Sequence, residues 1–366
     1  MNTDNVKNET ALENKCPSCT ASIAFNPKVG KWKCDYCGSE YTLEEMQKHS
    51  NNASGIDKNV EREKQVQEEV DTSGYVTYHC DSCGAEIITD EQTSATFCVY
   101  CGATAILKGK LSGQFTPELI IPFKKTKEDS IKAFKSLSKG RFLVPKAFVA
   151  ESNITKIRGI YIPFWLYDIK TIGDLHMIGT RSMSWTTGNH RHVKTDKYKV
   201  VRGGEIHYDG IPVDGSTRFD NDIMSSLEPF NFKEAVKYNH AYLSGFYAER
   251  YDENVDELYK RAEERAINST VEQFKKDTVG YETLMVESNN FKTTEEKRKY
   301  ALLPVWMVNI KYKDKMYLFA MNGQTGEFIG NIPLDTQKTV IYSILIFLII
   351  FILIIAFSYL TSGAWV

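Results

Sequence analysis

The chain has 366 residues and carries 45 Lys+Arg against 47 Asp+Glu, a net charge of -2. A length above about 100 to 200 residues implies two or more structural units, and the near-neutral balance denies the chain the overall basic bias of a dedicated nucleic-acid binder. Its hydrophobic content of 42% is that of an ordinary soluble protein, so the information lies in where the apolar residues and the cysteines fall.

Residues 1–15 form a polar tail without the apolar stretch of a secretory signal. All eight cysteines follow in four Cys-x-x-Cys pairs: Cys16/Cys19, Cys34/Cys37, Cys80/Cys83 and Cys98/Cys101. In both halves 14 residues separate the two pairs. Thiolates three residues apart in a tight turn converge on one ion, and a short hairpin between two such turns completes a tetrahedral four-cysteine site. Gly38, Gly84 and Gly102 stand just after cysteines, where a knuckle turn calls for positive φ. Trp32 and Phe97 stand shortly before the third cysteine of each unit and can cover a hairpin too small to have its own core. Disulfides would need an oxidising compartment and hence a secretory signal, and a redox pair would not recur four times at fixed spacing. The reading is two structural Zn2+ ions, with zinc ribbon 1 at 16–45 and zinc ribbon 2 at 75–112, on the cytosolic side. Between them, the charged segment 46–74 is poor in apolar residues and contains no aromatic. It reads as a linker or at most a solvated helix, which would leave the two ribbons to move independently.

From 113 to 338 the sequence can hold a genuine core and reads as an α+β domain, mainly antiparallel. A helix is expected over Thr126–Lys139, opened by a Thr126/Asp129 capping box, with Ile131, Phe134 and Leu137 on one face. A longer helix is expected from Glu253 to Lys276, with Val255, Tyr259, Ala262, Ala266, Thr270 and Phe274 at spacings of three and four. Strands are expected at Arg158–Lys170 and Leu303–Tyr312. Both contain Pro-x-Trp, as Pro163/Trp165 and Pro304/Trp306, which suggests one β unit used twice. Turns at Lys313-Asp314 and Asn322–Gly326 would join three strands into a meander. Residues 339–360 hold 19 apolar residues in 22 and no charge. A helix of that length spans about 33 Å, enough for a hydrocarbon core of about 30 Å. The expectation is a single-pass, tail-anchored membrane protein with a short tail at 361–366 and its N-terminal bulk in the cytoplasm. Lys338, before the span, agrees with that orientation.

No Gly-x-Ser-x-Gly elbow, Walker loop, dinucleotide fingerprint or His-Glu-x-x-His occurs. No catalytic and no cofactor-binding residue is assigned, and with every cysteine given to zinc no thiol remains for catalysis. His190 and His192 would share one face of a strand, and without a carboxylate cluster they read as surface residues. From Cys16 to Cys37, ribbon 1 has Lys28, Lys31 and Lys33 against Asp35, a net of +2; from Cys80 to Cys101, ribbon 2 has Asp81, Glu86, Asp90 and Glu91 and no base, a net of -4. An acidic module repels phosphates, which argues against nucleic acid as a partner. Residues 108–146 hold ten Lys/Arg against three acids, a stretch that could face anionic lipid or simply be solvated.

The paired ribbons, Ile162-Pro-Phe-Trp165, the segment from Tyr198 to Ser216, Leu303-Pro-Val-Trp306 and Asn322-Gly-Gln-Thr-Gly326, followed by a terminal anchor, resemble a family of Gram-positive bacterial membrane proteins containing transcription factor IIB-type zinc ribbons. The resemblance covers nearly the whole chain. It implies membership of a small membrane-associated assembly, with relatives encoded near phage shock protein A homologues of the envelope stress response, and it brings no catalytic residues. The expected function is a non-enzymatic membrane-anchored scaffold whose ribbons recruit cytosolic partner proteins. The alternative is a membrane-tethered transcription-type regulator that contacts nucleic acid or polymerase through ribbon 1.

Overall fold

The computed structural model describes residues 9–11, 14–53, 75–80, 86–90, 93–97, 104–107, 116–136, 139, 143–145, 147–148, 150, 156–313 and 315–362. The fold is mixed α+β. The N-terminal part comprises β1 (Glu9–Ala11), β2 (Ala24–Asn26), β3 (Lys31–Lys33), β4 (Glu40–Tyr41), α1 (Leu43–Ala53), β5 (Tyr75–Cys80), β6 (Glu86–Asp90), β7 (Thr93–Phe97) and β8 (Thr104–Ile106). The middle continues with β9 (Leu119–Ile120), α2 (Lys127–Ser136), β10 (Arg158–Thr187), β11 (His190–Asp214), α3 (Asn221–Ser226), β12 (Val236–Lys237) and β13 (Tyr247–Glu249). The remainder is α4 (Val255–Lys276), β14 (Thr283–Asn289), β15 (Lys292–Tyr312), β16 (Lys315–Asn322), β17 (Phe328–Gly330) and α5 (Thr336–Ser362).

The capping arguments hold at atomic detail. Thr126 N–H donates to Asp129 Oδ2 (3.1 Å) and Asp129 N–H to Thr126 Oγ1 (3.3 Å), closing the box that starts α2. Phe134 is buried and Ile131 half-buried, and Leu137 lies outside the described residues. At α4 the Asn254 side chain accepts from Asp256 N–H, and the buried stripe is Leu258, Ala262, Ala266 and Thr270; Tyr259, the expected member, is only half-buried. Residues 47–53 continue helix α1, the solvated-helix alternative for the start of the charged segment. Thr42 and Glu45 form a second capping box, Thr42 N–H to Glu45 Oε2 at 2.8 Å and Glu45 N–H to Thr42 Oγ1 at 3.4 Å. The rest of the linker, 54–74, lies outside the described residues.

Two long strands, β10 and β15, run antiparallel side by side through the centre of an eleven-stranded sheet. Both outrun the expected lengths, β10 toward its C-terminus and β15 toward its N-terminus. Around them the chain is built twice. Parallel strand β13 pairs with Ile160 and Tyr161, and parallel strand β9 pairs with Ala301 and Leu302. Pro163 and Pro304 come next, then β11 begins opposite Phe164 and β16 opposite Val305. Pro163 O accepts from Gly215 N–H (2.9 Å) and Pro304 O from Gly323 N–H (2.8 Å). A residue's N and O point to the same side of a strand, so each proline's missing donor faces the gap where one partner strand has ended and the next has not started. That is how a proline is tolerated in a central strand.

The correspondence extends further. Gly323 O accepts from Lys124 and Lys125 N–H (2.9 and 2.8 Å), and Gly215 O from Asp252 and Glu253 N–H (3.0 and 3.2 Å). Phe123 meets Trp306 edge-on at 5.1 Å, and Tyr251 meets Trp165 edge-on at 5.2 Å. One unit is therefore β9–α2–β10–β11 and the other β13–α4–β15–β16, with the first strand of each paired to the long strand of the other. The duplicated Pro-x-Trp was the sequence trace of this interlocked repeat.

Sheet coverage falls away toward the free end of β10. The face bearing Ile160, Ile162, Phe164 and Leu166 packs on Met224, Leu227 and Phe230. The opposite face is covered by α4, first through Tyr167 and Ile169 on Leu258, Ala262 and Ala266, then through Leu175 and Met177 on Val271 and Phe274. Strand β14 pairs with β10 as far as Thr180. Beyond it β10 and β11 continue as a two-stranded arm whose tip carries His190 and His192 in the open, with His192 stacked on Trp185.

Helix α5 is long and apolar enough to cross a membrane: over Thr336–Phe357 its mean hydropathy is 3.3 and none of it is buried.

Candidate metal centre

Ribbon 1 builds its cysteine cluster from two matching turns. Cys16 N–H donates to Ala21 O (2.7 Å) and Thr20 N–H to Cys16 O (2.9 Å); Cys34 N–H donates to Ser39 O (2.9 Å) and Gly38 N–H to Cys34 O (2.9 Å). Each turn therefore curls backbone around its first cysteine and ends in a left-handed residue, Thr20 at φ 61 and Gly38 at φ 76. The glycine is the residue suited to that conformation; threonine adopts it with strain. The three-stranded sheet β2–β3–β4 joins the turns and holds them face to face.

The sulfur atoms of Cys16, Cys19, Cys34 and Cys37 all lie within 4.8 Å of one another. Cys16 Sγ is 3.6 Å from Cys37 Sγ and Cys19 Sγ 3.5 Å from Cys34 Sγ. A disulfide would bring sulfurs to about 2.05 Å, whereas four thiolates about 2.3 Å from one tetrahedral zinc stand about 3.8 Å apart. The spacing has the dimensions of a metal-binding tetrahedron, and these four cysteines can hold one metal ion. Cys16 and Cys34 are buried, Cys19 half-buried and Cys37 exposed. Hydrogen bonding with the Ser39 side chain and backbone draws the Cys37 thiol down to about 6. Cys19 is helped toward ionisation by its bond with the Ala21 backbone, but burial and the three neighbouring sulfurs outweigh it and hold the thiol up to about 12. Four thiolates this close repel one another, and a divalent cation is the group that would let all four ionise.

Of the second set, Cys80 ends β5 and is buried; Cys83, Cys98 and Cys101 lie outside the described residues. Among the described residues the Cys16 cluster is the one group found that could hold a metal.

The first ribbon does not stand free, contrary to the expectation of independent ribbons. Trp32 is turned outward from its hairpin into the main domain and is fully buried there, its Nε1–H donating to Ala241 O (2.9 Å). Its ring lies 5.0 Å from both Phe25 and Tyr242. Phe25 N–H donates to Ser244 O (3.1 Å), and Asn14 Nδ2 donates to Ser244 Oγ. Gly245, at φ 92, brings its backbone so close that a Cβ there would meet Ala24 Cβ at 3.0 Å. Its N–H donates to Thr104 Oγ1 (3.0 Å), and four residues on, β13 pairs with β7. One segment, Ala241 to Glu249, thus receives both the first ribbon and the strand that precedes Cys98. Trp32→Ala is expected to cost about 3 to 5 kcal/mol of this docking, read as lost hydrogen-exchange protection across residues 14–53 while the sheet keeps its own.

The cysteines and the importance of Trp32 were legible in sequence; its partners Tyr242, Ala241 and Ser244 were not. Nothing local marks them, because they are more than 200 residues away along the chain. Thr20 and Ser39 could have been found from their fixed offsets of four and five residues from Cys16 and Cys34.

No family model matches the chain, and no solved structure matches it. The chain is similar to a protein of Bacillus subtilis (strain 168) described as "Uncharacterized protein YdjG", at 33% identity over 325 residues that cover 88% of this chain and 91% of that protein.

Proposed function

We propose, for a chain that belongs to the family of YdjG from Bacillus subtilis (strain 168), the role of a non-enzymatic scaffold held in the cell membrane by α5, whose two zinc ribbons recruit cytosolic proteins. In this reading Cys16, Cys19, Cys34 and Cys37 hold one Zn2+ and Cys80, Cys83, Cys98 and Cys101 a second. The bulk of the chain lies in the cytoplasm, in a membrane-associated assembly of the envelope stress response, as the transcription factor IIB-type ribbon resemblance implies.

The observation that carries the reading is the cysteine cluster of a module docked on Ala241–Gly245, the segment that leads into β13 of the sheet from which β17 leads into α5. A metal-stapled module fixed to such a sheet has a defined position relative to the membrane, which is what a scaffold needs. Its second knuckle presents Tyr36, 84% exposed, as a contact residue. Three polar side chains buried in the domain bond neighbouring side chains: Asp214 with Arg261 (2.7 Å), Glu249 with Arg218 (3.0 Å), and Ser216 donating to Glu249 (3.4 Å), while Asp214 Oδ2 and Thr171 Oγ1 have no hydrogen-bond partner. Paired buried charges of this kind favour a structural role.

Cys80→Ser with Cys83→Ser should abolish recruitment while leaving membrane insertion intact. The check is cross-linking in cells followed by identification of the proteins captured with the wild-type and substituted chains. Identical captured sets would overturn the scaffold reading.

A further inference from the structure

The two copies of the repeat differ in one respect that the core does not require. From Trp306 to Asn322 the second copy turns its hairpin in 16 residues, whereas the first takes 49 from Trp165 to Asp214. The 33 additional residues form the outer sheet and its arm. The outer sheet has one face on α4, through Leu175, Met177 and Val200. The other face is bare.

On that bare face stand Ile172, Val193, Val201 and Met285, exposed by 46, 61, 53 and 63%. Their placement follows from register, since Val201 lies opposite His176, Val193 opposite Ser184 and Met285 opposite Ile178. Interleaved with them are Arg191, Lys197 and Lys199, opposite Thr186, Thr180 and Ile178. Two acids on this face are matched: Asp174 with His176 (2.5 Å) and Asn290 (3.0 Å), and Glu205 with Lys170 (2.7 Å) and His207 (2.7 Å). Among the described residues neither Lys197 nor Lys199 has a carboxylate partner. Of the six Lys/Arg in residues 176–204, three stand on this face, Arg191, Lys197 and Lys199; Arg181, Lys194 and Arg202, opposite Asp196, Met183 and Leu175, stand on the other.

We infer that this face lies against the anionic phospholipid surface of the bilayer that α5 enters, an inference that rests on the anchored reading above. Aliphatic side chains interleaved with unpaired cations suit an interface of acyl chain and phosphate. A nucleic-acid backbone would use the cations and leave the aliphatic residues without a role. The arm leaves the sheet at the end opposite β17, which pairs with β16 beside the start of β10. It continues about 23 Å past Thr180 at about 3.3 Å per residue. Contact at the arm and anchorage at α5 together lay the sheet along the membrane, with the strand axis parallel to its surface.

The test is hydroxyl-radical footprinting of the full chain in nanodiscs of phosphatidylcholine with or without phosphatidylglycerol. Met285 reports the bare face, and Met183 and Trp185, on the opposite face of the arm, serve as the internal control. Phosphatidylglycerol is expected to protect Met285 and leave Met183 and Trp185 oxidised. Lys197→Glu and Lys199→Glu should each weaken that contact about fivefold. Equal oxidation of Met285 in both discs would overturn the inference. So would protection that a short DNA duplex provides and anionic lipid does not, or protection that persists in detergent and grows with protein concentration. Failure of the chain to enter discs at all would instead refute the anchor, a separately visible result.

Discussion

Cys34→Ser is expected to remove one zinc ion per chain and to release ribbon 1 from the main domain. Cys34 is fully buried, and its backbone is held by Ser39 and Gly38; three sulfurs and a hydroxyl do not reproduce the four-thiolate tetrahedron. Structural zinc supplies about 10 to 16 kcal/mol of apparent binding free energy in isolated zinc-finger modules, far more than the short sheet β2–β3–β4 could gain from its own burial. With the knuckles loosened, Trp32 would lose the orientation that sends its indole N–H to Ala241 O. Two readouts check this: metal content by mass spectrometry, falling by one equivalent per chain, and a red-shifted tryptophan emission. Unchanged metal content would refute the metal assignment. Lost metal with unchanged emission would refute only its coupling to docking.

Ile349→Arg together with Ile350→Arg is expected to move the protein from the membrane to the soluble fraction. Both lie near the middle of α5 and are exposed, in a span none of which is buried. Each arginine at the centre of a spanning helix costs roughly 2.5 to 3.5 kcal/mol on the insertion scale, so the pair costs about 5 to 7 kcal/mol. Because none of α5 from Thr336 to Phe357 is buried, the domain should remain folded, and the cysteine cluster should keep any metal it holds. Fractionation after alkaline carbonate extraction is the measurement. A variant that stays in the pellet as the wild type does would remove the case for α5 as the anchor.

These two predictions concern the features most legible in the sequence, and the reason is physical. A four-cysteine turn pair and an apolar run are local: the ligands of each knuckle are three residues apart, and a helix satisfies its own backbone. The capping box at Thr126/Asp129 was readable on the same ground. Strand extent was not. Arg158–Lys170 reads as a whole strand because its apolar run stops there, yet β10 runs on to Thr187, paired with β11 and β14 and, at Leu175 and Met177, buried against α4. Leu258 displaced Tyr259 from the expected stripe on α4 because the facing strand, not the helix, sets which side is buried.

The sequence by itself determined the number and spacing of the cysteines, the span able to cross a membrane and the mixed α+β class, since each follows from neighbours a few residues apart. Tertiary structure alone decided that the first ribbon sits on the domain, that Pro163 and Pro304 can occupy central strands, and that two copies of one unit interlock. Each depends on residues about 50 to more than 200 positions apart, as in Pro163 with Gly215, β9 with β15, and Trp32 with Ala241. Contacts at that separation leave no periodicity in the chain; they are specified only when packed surfaces meet.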